Sequence, residues 1–127
     1  MPRKKIVEGY EHPIERTKLY DVPAIEFAKS LIDNDPVSHI HIPMLADKAG
    51  INEFKLKIGF RELFRTSPYK YRLHLCLERA KDLLEDTDDT IDQIASKVGF
   101  DSYNGFSTAF KKAFHIAPTE YRNRLSA

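Results

Sequence analysis

This chain has one cysteine and nothing that resembles a membrane span. Cys76 stands alone among 127 residues, which excludes an intrachain disulfide and fits a reducing compartment. No apolar run approaches the roughly 18 residues needed to cross a bilayer. The N-terminus lacks the apolar stretch of a signal peptide, so the expected location is the cytoplasm. Sustained alternation of period two is also missing, which argues against strands. No phosphate loop, nucleophile elbow or other catalytic motif is present, so an enzyme has no supporting residues. Charge of one sign is lacking too, since Lys and Arg exceed Asp and Glu by one.

That near-neutral total conceals a strong asymmetry. From Asn52 to Arg72, six Lys or Arg oppose Glu53 and Glu62, a net of +4. From Ser102 to Arg124, four oppose Glu120, a net of +3. Between them, Glu78 to Asp92 carries seven acids against Arg79 and Lys81, a net of −5. Two basic segments around an acidic connector suit a protein that turns one face to a polyanion and another to water.

Apolar residues recur at three and four along most of the chain, so the expected fold is all-α with about seven helices. "VPAIEFAKSLI" gives a first helix near 22–33, ended by "DNDP". Ile42, Leu45, Ala46 and Ala49 mark a second, and Leu56, Phe60, Leu63 and Phe64 a third. The longest runs from Ser67, an N-cap with Pro68 behind it, to about Glu85. Thr90 and Gln93 form a capping box that opens a fifth. A sixth spans about 102–113, and a seventh runs from Pro118 towards Leu125. Residues 1–20 show no period and read as an arm or a linker, leaving one domain over 21–127.

The middle and the end of this domain repeat each other. Leu45-Ala46 and Gly50 match Ile94-Ala95 and Gly99 at an offset of 49. After one inserted residue, Leu56, Phe60, Phe64, Pro68, Tyr71 and Arg72 match Phe106, Phe110, Phe114, Pro118, Tyr121 and Arg122 at an offset of 50. Each unit is a helix, a glycine turn and a second helix, the glycine supplying the left-handed backbone that stops the first. Ile51 or Phe100, just after it, can pin the crossing from inside. This is a helix-turn-helix present twice, at about 42–64 and 90–113, joined by a long helix at about 67–85. Such helix pairs occur in many all-α proteins, but two copies with basic second helices favour DNA.

"LADKAGINEFKLKIGFRELF", "LERAKDLL", "IDQIASKVGFDSYNGFSTAFKKAF" and "PTEYR" stand in the order and spacing of one family. From about Ile25 to Arg124 the chain resembles the DNA-binding domain of the AraC/XylS transcription regulators. "NEFKLKIGFRELF" is also similar to members that answer to iron-siderophore complexes. The resemblance implies seven helices, with both second helices facing one side of the DNA and reading two adjacent major grooves. RNA polymerase is a further partner such a regulator implies. Four residues depart from the family pattern. Cys76 replaces a usual Arg at what reads as a boundary position, and His115 replaces a common Gly. Gly105 and Thr108 stand where a polar residue or His and an Arg are frequent, which weakens base readout by the second unit.

At about 100° per residue, Leu56, Phe60 and Leu63 share one side of the third helix, as do Phe106, Phe110 and Ala113 on the sixth. The opposite sides present Phe54, Ile58 and Arg61 flanked by Lys57 and Lys55, and Asn104, Thr108 and Lys111 with Ser107 and Gly105 beside them. The expected base-reading residues are Phe54, Lys57, Ile58, Arg61, Tyr103, Asn104, Ser107 and Thr108. Asn suits adenine, Arg or Lys suits guanine, and apolar groups suit thymine methyls. Phosphates would be met by Asn52 and Ser102 at the helix amino ends and by Lys55, Arg65, Lys111 and Lys112.

Rival readings are weaker. The Phe54/Ile58 face would also suit a small helical adaptor that binds a protein partner. "DTDD" at 86–89 has acids at calcium-loop spacing, but lacks the Gly and distal Glu such a loop needs. His39 and His41 have no partner pattern for a metal and read as a loop, so neither metal nor cofactor is expected. With about forty residues before the first helix-turn-helix, the chain is either a short free-standing regulator or a piece of a longer one. A long helix from Ser67 to Glu85 would span about 28 Å, near the roughly 34 Å between successive major-groove faces. One monomer would then occupy one asymmetric site.

Overall fold

The computed structural model describes residues 3–38 and 41–126. The expected all-α architecture is the one observed. After a 3-10 turn at Leu19–Asp21 come α1 (Val22–Asn34), α2 (Ile42–Ala49), α3 (Glu53–Phe64), α4 (Pro68–Asp86), α5 (Ile91–Lys97), α6 (Tyr103–Phe114) and α7 (Pro118–Leu125). Among the described residues no helix is long and apolar enough to cross a membrane. The chain divides into two compact units within α4, after Arg72; Pro36 belongs with the second.

Local chemistry accounts for most helix ends. The Ser67 hydroxyl accepts from the Lys70 N–H at 3.1 Å, and Thr90 and Gln93 close a reciprocal capping box. Gly50 and Gly99 take φ of 71° and 93°. The N–H of Ile51 reaches Ala46 O at 3.0 Å and that of Gly50 reaches Asp47 O at 3.1 Å; Phe100 and Gly99 do the same to Ala95 and Ser96. These are paired Schellman stops, in which the hydrophobe after the glycine folds back on the helix it ends. α3 and α6 stop differently, on left-handed Arg65 and His115 with φ of 60° and 64°. The glycine that is common in the family at His115 therefore matches a conformation that histidine adopts here under strain.

In the first unit Ile14, Ile25, Ala28, Ile32, Leu45, Leu56, Phe60 and Leu63 are buried. α1 lies so close to α3 that a Cβ at Gly59 would stand 2.0 Å from Ile25 Cδ1. The second unit packs Cys76, Leu77, Ala80 and Leu84 of α4 against Ile94, Ala95, Val98, Phe106 and Phe110. The sequence repeat is also a packing repeat. Phe60 meets Phe64 and Tyr71 at 4.7 and 5.8 Å between ring centroids, and Phe110 meets Phe114 and Tyr121 at 4.7 and 5.9 Å. Lys29 stands over the Phe64 and Tyr71 rings, and Lys81 over those of Phe114 and Tyr121. Tyr71 donates to Asp33 and Tyr121 to Glu85. The Glu85 bond, with burial and the nearby acids, pushes the Tyr121 hydroxyl up to about 12.

Two expectations need correction. Cys76 is core rather than boundary: it is 1% exposed, and its thiol donates to Pro36 O at 3.2 Å. Ala113, expected on the buried stripe of α6, is exposed. Its counterpart Leu63 on α3 is buried, so the two units differ at this position.

Residues 3–17 carry neither helix nor strand, and they fold back on α3. Lys5 and Ile14 form an antiparallel bridge, and Ile14 and Thr17 are buried.

Candidate nucleic-acid interface

Both second helices begin with a side-chain cap at the solvent surface. Asn52 Oδ1 accepts from the Lys55 N–H at 2.8 Å, and Ser102 Oγ from the Gly105 N–H at 3.0 Å. Each cap uses one of the free N–H groups of the first turn and leaves the remaining positive end open to an anion. Asn52 and Ser102 are themselves exposed.

On α3, Phe54 is 67% exposed, and Lys57 and Arg61 are exposed with it. Ile58 is half-buried. It lines a cleft with Asn52, Phe54 and Lys55 of its own helix-turn-helix and with Arg16, Thr17 and Lys18 of the N-terminal segment. On α6, Tyr103, Asn104 and Thr108 are exposed and Ser107 is half-buried. The Tyr103 hydroxyl lies 3.4 Å from Thr119 Oγ1. The expected sets thus share a face within each unit, with Ile58 and Ser107 on its edge.

The cations of these faces are largely unneutralised. Lys57, Arg61, Arg65, Lys111 and Lys112 are exposed, and among the described residues none forms an ion pair with a carboxylate. Lys55 is the exception, with its Nζ 3.7 Å from Asp21 Oδ2. Arg122, one of the positive charges of the second basic segment, is turned inward. Its guanidinium donates to the carbonyls of Leu83, Leu84, Thr87 and Asp89, where it satisfies the open C-terminal end of α4.

Two residues with a bearing on this face carry no signal in the periodicity. Arg16 places its guanidinium carbon 5.6 Å from the centroid of the Phe54 ring. Glu62, one helical turn after Ile58 on α3, binds the N-terminal segment. Burial works to raise its pKa, but the Thr17 hydroxyl and three backbone N–H groups outweigh that and hold the carboxyl below its ordinary value.

Elsewhere, Asp89 of the acidic turn pairs with Lys97 at 2.5 Å. Among the described residues no three His, Cys, Asp or Glu gather closely enough to hold a metal ion. His41 is exposed, and His39 lies outside the described residues.

Residues 45–124 match a family of helix-turn-helix domains. The xylose operon regulatory protein of Escherichia coli K12 is 31% identical over 128 residues, covering 97% of this chain and 32% of that protein. The chain therefore spans about a third of the length of such curated relatives. A transcriptional regulator from Chromobacterium violaceum, described as having an AraC-type DNA-binding domain, superposes with a TM-score of 0.76 at 30% identity, covering 86% of this chain and 97% of that one. The C-terminal domain of the two-component response regulator yesN from Fusobacterium nucleatum gives 0.70 at 33% identity, covering 78% and 97%. With its two glycine-turned units and the spacing of its motifs, the chain belongs to the AraC/XylS family of helix-turn-helix domains.

Proposed function

We propose that this chain is the part of a bacterial transcription regulator that binds double-stranded DNA in a sequence-specific way, acting in the cytoplasm where the chromosome lies. α3 and α6 each enter a major groove. The observation that carries this reading is the repeated unit itself. Each copy ends in a capped, solvent-facing helix whose outer side carries exposed cations without an ion-pair partner.

The two faces read different bases, because Phe54, Lys57, Ile58 and Arg61 on α3 correspond to Asn104, Ser107, Thr108 and Lys111 on α6. Arg61 and Lys57 take guanine or phosphate, Asn104 takes adenine, and Phe54, Ile58 and the Thr108 methyl take thymine methyls. Asn52, Lys55, Arg65, Ser102, Lys111 and Lys112 hold phosphates. A chain with unequal readers occupies an asymmetric site as a monomer.

Paired substitutions test the division of labour. Lys111→Ala should weaken binding to all sequences about equally and make the salt dependence shallower by about one unit. Asn104→Ala should cost roughly 1–3 kcal/mol on the preferred site and little elsewhere. An Asn104→Ala protein that selects an unchanged motif would remove Asn104 from the reading set. Wild-type binding that is flat in salt would point to the protein adaptor.

A further inference from the structure

Outside the helices, the N-terminal segment is held against α3 by a polar latch. The Glu62 carboxylate accepts the N–H of Glu15 at 2.7 Å, of Arg16 at 3.1 Å and of Thr17 at 2.7 Å, together with the Thr17 hydroxyl at 2.6 Å. Lys5 Nζ donates to the carbonyls of Glu15 and Thr17 at 2.9 and 3.0 Å. His12 Nε2 lies 2.5 Å from Glu62 O. Ile14 is fully buried and Thr17 is 5% exposed, while Arg16 and Lys18 point to solvent. The backbone around residue 16 is therefore fixed before any partner arrives, and only side-chain freedom remains to be lost on binding.

This fixed backbone delivers a guanidinium to the outward side of α3. Arg16 stands over the ring of Phe54, the first residue of the expected base-reading row. Arg16 and Lys18 share a cleft rim with Asn52 and Lys55, where Asp21 is the one acid. An anion with several oxygens suits a guanidinium held in one place, because the planar fork accommodates two of them at once. Continuity with the α3 face makes that anion a DNA phosphate.

We propose that Arg16, supported by Lys18, is a DNA-backbone contact of the first helix-turn-helix unit, with Glu62 as the positioning residue that holds it there. The proposal rests on the DNA-binding reading above and adds a third contact element, contributed by the N-terminal segment.

The test measures affinity against salt for the 127-residue chain, using a labelled mixed-sequence duplex of about 30 base pairs. Arg16→Ala should lower affinity about 5- to 10-fold near 0.1 M salt and make the log–log salt slope shallower by about 0.9, the value for one lost phosphate contact. Its melting temperature should stay within about two degrees of wild type, since the side chain is exposed. Arg16→Lys should keep most of the slope. Glu62→Gln, which frees the segment but leaves Arg16 in place, should lose slope as Arg16→Ala does. An Arg16→Ala protein with the wild-type slope would overturn the contact while leaving the DNA-binding reading intact. A wild-type chain with no salt-dependent binding to the duplex would overturn both.

Discussion

Replacing His115 with glycine should stabilise the chain, although it removes a side chain and adds a flexible residue. His115 holds φ at 64° and Arg65 at 60°. In this left-handed conformation the Cβ crowds the following carbonyl, at roughly 1–2 kcal/mol for an ordinary L-residue. Glycine relieves that crowding but gives back about 0.5–1 kcal/mol through its freer unfolded chain. The hydrogen bond from the His115 N–H to Lys111 O at 2.7 Å is kept, and the exposed side chain buries little that is lost. The net gain is about 0.5–1 kcal/mol, a rise of about 2–5 °C in melting temperature for a chain of this size. Differential scanning calorimetry and urea titration would read it.

Arg65→Gly should give the same gain and, unlike His115→Gly, lower DNA affinity with a salt slope shallower by about 0.9 if Arg65 meets a phosphate as proposed. A fall in melting temperature for His115→Gly would refute the argument from strain.

Further expectations follow from the core and from the latch. Phe110 is fully buried and touches three aromatic rings, so Phe110→Ala should cost roughly 3–5 kcal/mol in urea denaturation through the cavity it leaves. A loss under about 1 kcal/mol would mean that Phe110 is not packed in the core of the second unit. Because the Glu62 carboxyl is held below its ordinary pKa when folded, its contribution to stability is present above the unfolded value of about 4.3 and disappears as pH falls through the lower folded value. The stability gap between wild type and Glu62→Gln should therefore be constant above about pH 5 and shrink in acid; a gap that widens in acid would contradict the latch.

The helices and their turns could be read from the sequence because their causes are local. Thr90 and Gln93 are three residues apart, Gly50 and Gly99 each follow the helix they stop, and the Phe60 and Phe110 stripes recur within one helix. What escaped the sequence lies in contacts between distant residues. Glu62 reaches backbone groups 45 to 47 positions away, and no period in residues 1–20 reports a segment whose order comes from another element's carboxylate. Cys76 looked like a boundary residue on the α4 wheel, yet Pro36, forty positions earlier, covers its thiol. Ala113 sits at the right angle for burial and is nevertheless exposed, which the period within α6 does not report. Of the candidate site, the outward rows of α3 and α6 followed from helical geometry. The half-burial of Ile58 did not, because the N-terminal segment that shares its cleft is remote in sequence.

On the proposed reading, one chain carries two unequal helix-turn-helix readers for duplex DNA. Selection of bound sites from a random duplex pool, with stoichiometry measured on the winning duplex, decides whether this is so. An enriched, directional motif of two dissimilar blocks bound by a single chain is expected, since the exposed side chains of α3 and α6 differ. No enriched motif, or a perfectly two-fold motif occupied by two chains at low concentration, would contradict it.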